Sequence, residues 1–290
     1  MAETQKRVAI LAARRTPIGT FGGAFAGVEA RDLGITALQA ALSDAGISAA
    51  DLDEVIVGNI LSAGLGQNVA RQIAIGAGGP HELPAYAVNK LCGSGLKSVT
   101  LGAGGILLGE SSLVAAGGVE NMSRTPFALP SGRYGHKYGN TELVDLVWHD
   151  ALRDAFHDYP MGETAENLAD DWGITREQMD AFALESHQRA AAAIQSGRFT
   201  AEIAPVSVPQ RKGDPRVVDT DEHPRPDTTP ESLAKLRPAF RKEGGRVTAG
   251  NASGINDGAA FVVLASEEEV ARRGLPVLGW LVASGAAAVD

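Results

Sequence analysis

Over its first 120 residues the chain alternates short apolar runs with segments whose apolar residues recur at helical spacing. That alternation restricts the fold more than any other feature, because strands that feed helices must bury both layers on one sheet. "RVAILAA" (7–13) is an apolar run bounded by charge, and "EVIVG" (54–58) is β-branched and reads as a buried strand. Between them Leu33, Ala37, Leu38, Ala41 and Leu42 mark one helix face, with Gly46 as its stop. "NVARQIAIGAG" (68–78) predicts a second helix and "PAYAVNKL" (84–91) a third strand. Leu96, Val99, Ala103, Ile106 and Leu107 predict a helix that ends near Gly109, followed by a strand in "SSLVAAGG" (111–118). The pattern predicts an α/β lobe with a largely parallel sheet.

The only cysteine of the 290 residues lies in "NKLCGSGLKSV" (89–99), between a predicted strand and a predicted helix. A single cysteine excludes an intramolecular disulfide and a cysteine-based zinc site. Ligands of open α/β sheets gather at the carboxyl ends of strands, and a helix N-terminus favours a thiolate. Gly93 and Gly95 permit a sharp turn and close approach to the backbone. Placement alone leaves Cys92 open to two readings, a small core-filling residue or a nucleophile.

Residues 126–255 differ in character. Seven of the chain's 14 prolines fall between Pro205 and Pro238. Thr175–Arg176–Glu177–Gln178 is a capping box, followed by Met179, Phe182, Ala183, Ser186, Ala190 and Ile194 at helical spacing, with Gly197 as the stop. The segment reads as an inserted lobe. Residues 211–246 hold nine Lys/Arg and seven Asp/Glu, a +2 strip on a chain of net charge −9. Such a strip suits an anionic small molecule or is a solvated loop of mixed charge. The acidic balance argues against nucleic-acid binding. "FVVLA" (261–265) and "PVLGWLVASG" (276–285) then predict strands around a short helix in "SEEEVARRG" (266–274), as if a new α/β unit began. No stretch is expected to span a membrane, and the start of the sequence lacks a secretory signal, so a cytoplasmic location is expected.

Five ordered segments, "VNKLCGSGLKSV", "GGVENMSRTP", "MGETAENLA", "AKLRPAF" and "TAGNASGINDGAA", closely resemble the thiolase family, particularly its acetyl-CoA acetyltransferases. The resemblance implies a layered α/β fold of two similar halves around a loop domain. Residues 1–125 would form a complete N-terminal half, 126–255 the loop domain that contacts CoA, and 256–290 the start of an incomplete C-terminal half. It implies a reversible condensation of two acyl-CoA molecules, or thiolysis in reverse, through an acyl-cysteine on Cys92. It also implies a pantetheine contact at Ser253 with Ala249 beside it, apolar CoA contacts at Leu152 and Met161, and adenine and phosphate contacts at Arg225 and Ser232. Without the resemblance, Leu152 and Met161 read as core, Ser253 as a turn residue and Arg225 as a surface charge. CoA thioesters enter as substrates; no cofactor or metal is implied. A homo-oligomer or a complementing chain is expected.

Two departures matter. Pro160 stands where some family members have a histidine before the methionine of the "MG" motif. The family's "GHP", "NEAF" and "C-x-G-G-G" motifs do not occur in these 290 residues, and none of His81, His136, His149, His157, His187 and His223 has a matching context. Those motifs carry the activating histidine, an oxyanion asparagine and the second cysteine, so condensation by this chain alone is expected to be impaired. A degradative 3-ketoacyl-CoA thiolase and a non-catalytic CoA-binding or complementing subunit are the alternative readings.

Overall fold

The protein is described over residues 6–289 of a computed structural model. It opens with β1 (Val8–Arg15) and the short β2 (Gly19–Thr20). Helix α1 (Ala30–Ala45) buries Leu33, Ala37, Leu38, Ala41 and Leu42, the stripe read from the sequence. Gly46, at φ 67°, ends it, with its N–H on the Leu42 and Ser43 carbonyls. β3 (Glu54–Gly58), α2 (Val69–Gly76), β4 (Ala85–Val88), α3 (Ser94–Leu108) and β5 (Leu113–Asn121) follow. β4 is shorter than the expected 84–91 because the chain turns out of the sheet before Leu91, which has φ 48°.

In the lobe, β6 (Phe127–Ala128) pairs with β7 (Val144–Asp145), and α4 (Met161–Asp171) precedes α5 (Arg176–Gln195). The capping box at the start of α5 forms between Thr175 and Gln178. β8 (Val206–Val208) pairs with β9 (Arg216–Val218), and α6 (Pro230–Ala234) is a single turn or so. The chain then re-enters the main sheet as β10 (Asn256–Ser266), followed by α7 (Glu267–Arg273) and β11 (Gly279–Leu281).

The strand order β11-β1-β10-β5-β3-β4, with β2 beside β10, corrects two expectations. First, the sheet is mixed. Only β3 runs parallel to its neighbours β4 and β5, whereas β10 is antiparallel to β1, β2 and β5, and β11 to β1. Second, the strands of residues 256–281 join this same sheet. β10 lies centrally, with Asp257–Ala265 in register against Asn121–Leu113, and β11 extends the same sheet beyond β1. An apolar run reveals a strand, but its pairing partner is set by long-range packing.

α1 and α2 cover one sheet face, where Leu33, Leu38 and Ile73 pack with Val55, Val57 and Phe261. α3 covers part of the other, through Ala103 and Ile106 against Ile56, Val114, Ala116 and Leu264. Beyond α3 this face stays open. Leu96 and Leu108 are 77% and 75% exposed, and an apolar cleft of about 370 Å³ runs past Val99, Ala116 and Phe261. The expectation about membrane spans also needs correction. Leu91–Leu108 has a mean hydropathy of 1.3 over 18 residues, enough by length and composition to cross a bilayer. Here its apolar character serves packing on the sheet and the exposed face just described.

The N-terminal turn of α3 rests almost directly on β3. A Cβ on Gly58 would lie 2.5 Å from the Ser94 carbonyl carbon and the Gly95 nitrogen, backbone atoms with nowhere to go. The buried Ser98 hydroxyl, 2.7 Å from both carbonyl oxygens, bridges Gly95 to Gly117 of β5. Next to this seat, the Glu120 carboxylate accepts from the Asn59 amide (3.0 Å) and the Ile60 and Leu61 N–H groups (2.9 and 3.0 Å). Burial raises its pKa from the ordinary 4.5, against the lowering pull of those two backbone donors.

Two outcomes follow from this packing. Gly58→Ala should lower stability by about 1–3 kcal/mol, read from the urea midpoint, because the added methyl must displace the start of α3. Glu120 binds protons more readily folded than unfolded, so its contribution is fully present below the unfolded-state pKa and declines as pH rises through the folded one. From about pH 4 to about pH 8 the urea midpoint of the native chain should fall relative to that of Glu120→Gln.

Candidate active site

Cys92 stands on a tight elbow between β4 and α3. The Leu91 N–H bonds the Asn89 side-chain oxygen at 2.9 Å. The Ser94 hydroxyl accepts from the Lys90 N–H at 2.8 Å and donates to the Leu91 carbonyl at 2.6 Å. Backbone bonds from Gly93 to Lys90 and from Ser94 to Leu91 close the turn. Leu91 adopts a left-handed conformation that costs an L-residue roughly 1–2 kcal/mol. These bonds offset that strain, and the result is a free, solvent-exposed thiol two residues before the helix. The core-filling reading of Cys92 is thereby removed. An accessible sulfur beside a helix N-terminus, with no side chain capping that end, is chemically suited to nucleophilic attack.

The other sequence motifs prove to be scaffold for a second region. "ENMSR" meets "INDGAA" where the Ser123 hydroxyl and N–H bond the buried Asp257 at 2.5 and 3.0 Å. Burial raises the Asp257 pKa despite these donors. In "MGETAENLA", Glu166 is 0% exposed and accepts from the backbone N–H groups of Arg246 and Val247, at 2.7–3.0 Å. Arg241, from the turn after "AKLRPAF", spans Glu163, Asn167 and Asp170 at 2.5 Å each. The Asn251 amide donates to Asp180 of α5 at 2.9 Å, and its oxygen accepts from the Thr248 N–H at 2.8 Å. The buried Glu166 thus fixes the backbone leading into the "TAGNASG" loop to α4, and Asp180, through the Asn251 amide, fixes the loop to α5.

That loop walls two adjoining clefts. One, of about 230 Å³, is lined by Arg225, Ser232 and Ala249 together with His187, His223 and Asp227. The other, of about 430 Å³, is lined by Ser253 together with Phe182, Ser186, His187, His223 and Pro224. Four of the residues named from the sequence therefore gather around one continuous groove. The Ser232 hydroxyl is already engaged, donating to the Thr229 carbonyl at 2.8 Å and accepting from the Thr229 N–H at 3.0 Å as part of the cap of α6. The Ser253 hydroxyl makes only a local bond, 3.2 Å to the Gly254 carbonyl.

Cys92, Leu152 and Met161 do not wall these two clefts. Leu152 ends a π-helical turn (Trp148–Leu152), and Met161 begins α4. A backbone bridge between Arg153 and Pro160 holds the two residues on either side of one narrow loop. Leu152 is half-buried and Met161 is 40% exposed, so neither is core. Pro160 caps α4 at φ −71° and ψ 157°, extended values natural to proline.

Three cleft residues went unassigned in the sequence. Phe182, one of the residues at helical spacing on α5, is 76% exposed and lines the larger cleft. His187 and His223 line both clefts. Burial lowers the His187 pKa, helped by the nearby His223 and Arg225 charges and opposed by Asp227. The signal was present in the helical register, which sets His187 four residues after Ala183 and three before Ala190.

Residues 8–268 match the thiolase N-terminal domain family. The chain is 53% identical over 283 residues to the acetyl-CoA acetyltransferase of Pseudomonas aeruginosa and 52% to that of Thiocystis violacea, covering 98% of this chain and 72% of each relative. It superposes on the crystal structure of the Bacillus anthracis acetyl-CoA acetyltransferase with a TM-score of 0.91 at 45% identity, over 94% of this chain and 69% of that one. With the Cys92 elbow and the mixed sheet beneath it, these likenesses establish that the chain belongs to the thiolase family.

Proposed function

We propose that Cys92 accepts an acyl group from a CoA thioester, acetyl-CoA by preference, with the coenzyme held along the groove of the "TAGNASG" loop. The exposed sulfur on its elbow carries this reading. The Cys92 sulfur attacks the thioester carbonyl, the bond from that carbonyl to the CoA sulfur breaks, and the cysteine proton leaves on CoA. The product is acetyl-Cys92 and free CoA. Ser253 and Phe182 would contact the pantetheine, while Arg225 and Ser232 would meet the nucleotide end. Leu152 and Met161 would supply apolar contacts from the rim of the lobe.

The second half-reaction differs in its demands. Forming a carbon–carbon bond requires a base to take a proton from the methyl of a second acetyl-CoA. These 290 residues hold no second cysteine and none of the "GHP" or "NEAF" motifs. A general acid or base contributes about 10² to 10⁴ in rate, so this chain alone is impaired in condensation. The open apolar face beside α3 supports an assembly, with a second copy or a complementing chain covering Leu96 and Leu108.

Incubation with acetyl-CoA followed by intact mass spectrometry should give one acetyl adduct per chain, located on Cys92 and absent in Cys92→Ala. An adduct that survives that substitution, or none on the native chain, would refute the assignment. Condensation measured in the same samples should be lower than acylation by about 10²-fold or more.

A further inference from the structure

Charge around the Cys92 elbow has one sign. Between Glu82 and Glu110 the chain carries two charged side chains, Lys90 and Lys97, and both are exposed. Among the described residues neither forms an ion pair. The cleft beside Gly95 and Leu96 holds one carboxylate, Glu202, and Arg15 pairs with it at 2.7 Å. No acidic residue lies in the first turn of α3, the positive pole of that helix. Lys90 is bridged to Cys92 through the backbone, and its stem folds over the residue that follows the cysteine. A Cβ on Gly93 would lie 3.8 Å from Lys90 Cδ and 4.0 Å from its Cγ. The ammonium at the end of that stem therefore lies beside the elbow that presents the thiol.

We infer that acetyl-Cys92 passes its acyl group to small free thiols, and that Lys90 selects those with a negative charge close to the sulfur. The inference rests on the acyl-cysteine reading given above and names an acceptor class which that reading leaves open. A carbon acceptor needs a base, and the motifs that supply one do not occur in these 290 residues. A thiol needs none, because it ionises by itself at about pH 8.5. The acceptor thiolate attacks the acetyl carbonyl, a new carbon–sulfur bond forms, and the bond from that carbonyl to Cys92 Sγ breaks. The electron pair stays on the Cys92 sulfur, which takes from water the proton that the acceptor released. Because the cysteine stands in solvent, the acceptor reaches it without the nucleotide of a coenzyme. Charge then decides among acceptors. A thiolate with a carboxylate beside it meets an ammonium for which no carboxylate of the chain competes, and solvent screening keeps the preference modest.

The 290-residue chain, acetylated with acetyl-CoA and freed of excess coenzyme, is mixed with 3-mercaptopropionate (anionic), 2-mercaptoethanol (neutral) or cysteamine (cationic). Loss of the adduct beyond hydrolysis is followed by intact mass spectrometry. Each rate is divided by that of the neutral thiol, and these ratios are compared between chains, which cancels each thiol's own reactivity. In Lys90→Met the 3-mercaptopropionate ratio should fall by about two- to fivefold and the cysteamine ratio should rise, the range for one exposed charge pair. Lys90→Glu should carry both changes further, and Lys90→Arg should keep both ratios within about 1.5-fold of native. Salt at about 1 M should erase the differences. Unchanged ratios in Lys90→Met overturn the inference, as does an arginine variant that behaves like the methionine one. Ratios that move in the same direction for the anionic and cationic thiols also overturn it, since they mark a purely structural effect. An adduct that no thiol removes faster than water does sinks this inference alone. If acetyl-CoA leaves no adduct on Cys92, the acyl-cysteine reading fails with it.

Discussion

The site depends on one close approach, that of the α3 backbone to the backbone of β3. With hydrogen in place of a side chain at Gly58, the first turn of the helix settles on the strand. The connection from β4 must then turn within a few residues, which forces Leu91 into a left-handed conformation. Ser94 satisfies the polar groups that this turn would otherwise leave unpaired, and Ser98 ties the helix to β5. Cys92 is exposed because the backbone beneath it has no freedom to bury it. Position of the sulfur is thus a property of the sheet, not of the cysteine.

The lobe solves a different problem. It has little apolar core of its own, and its order comes from carboxylates set against backbone N–H groups and guanidinium nitrogens. Glu166 is fully enclosed yet saturated by the Arg246 and Val247 donors, and Arg241 joins three side chains of α4. A lattice of this kind fixes a loop's path without filling the groove beside it. Apolar packing of the same loop would have closed the space the ligand needs.

Much of this was legible in the sequence, and the failures have physical causes. The stripe of α1, the glycine stops of α1 and α3 and the capping box of α5 are local signals, and all appear in the structure, whereas of the α3 stripe only Ala103 and Ile106 are buried and Leu96 is exposed. The position of Cys92 between a strand and a helix was legible for the same reason. Pairing was not. "FVVLA" announces a strand, but its place between β1 and β5 depends on residues more than a hundred positions away. The spacing on α5 gave the helix but not its surroundings, because apolar spacing is the same whether a helix face meets a core or a cleft, as Phe182 shows. His187 and His223 gave no motif, since they belong together only after the lobe folds back on itself.

The central place of β10 has a consequence for how the molecule is made. A ribosome extrudes β1, β3, β4 and β5 first, yet β1 and β5 have no edge to share until residues 256–266 emerge. For the time needed to synthesise the lobe, two apolar strand edges wait for a common partner. Long-range pairing of this sort slows folding and leaves nascent chains prone to wrong association. Shielding by a chaperone would matter most in that interval, and the lobe must reach its own structure early enough to deliver the last strand to the gap.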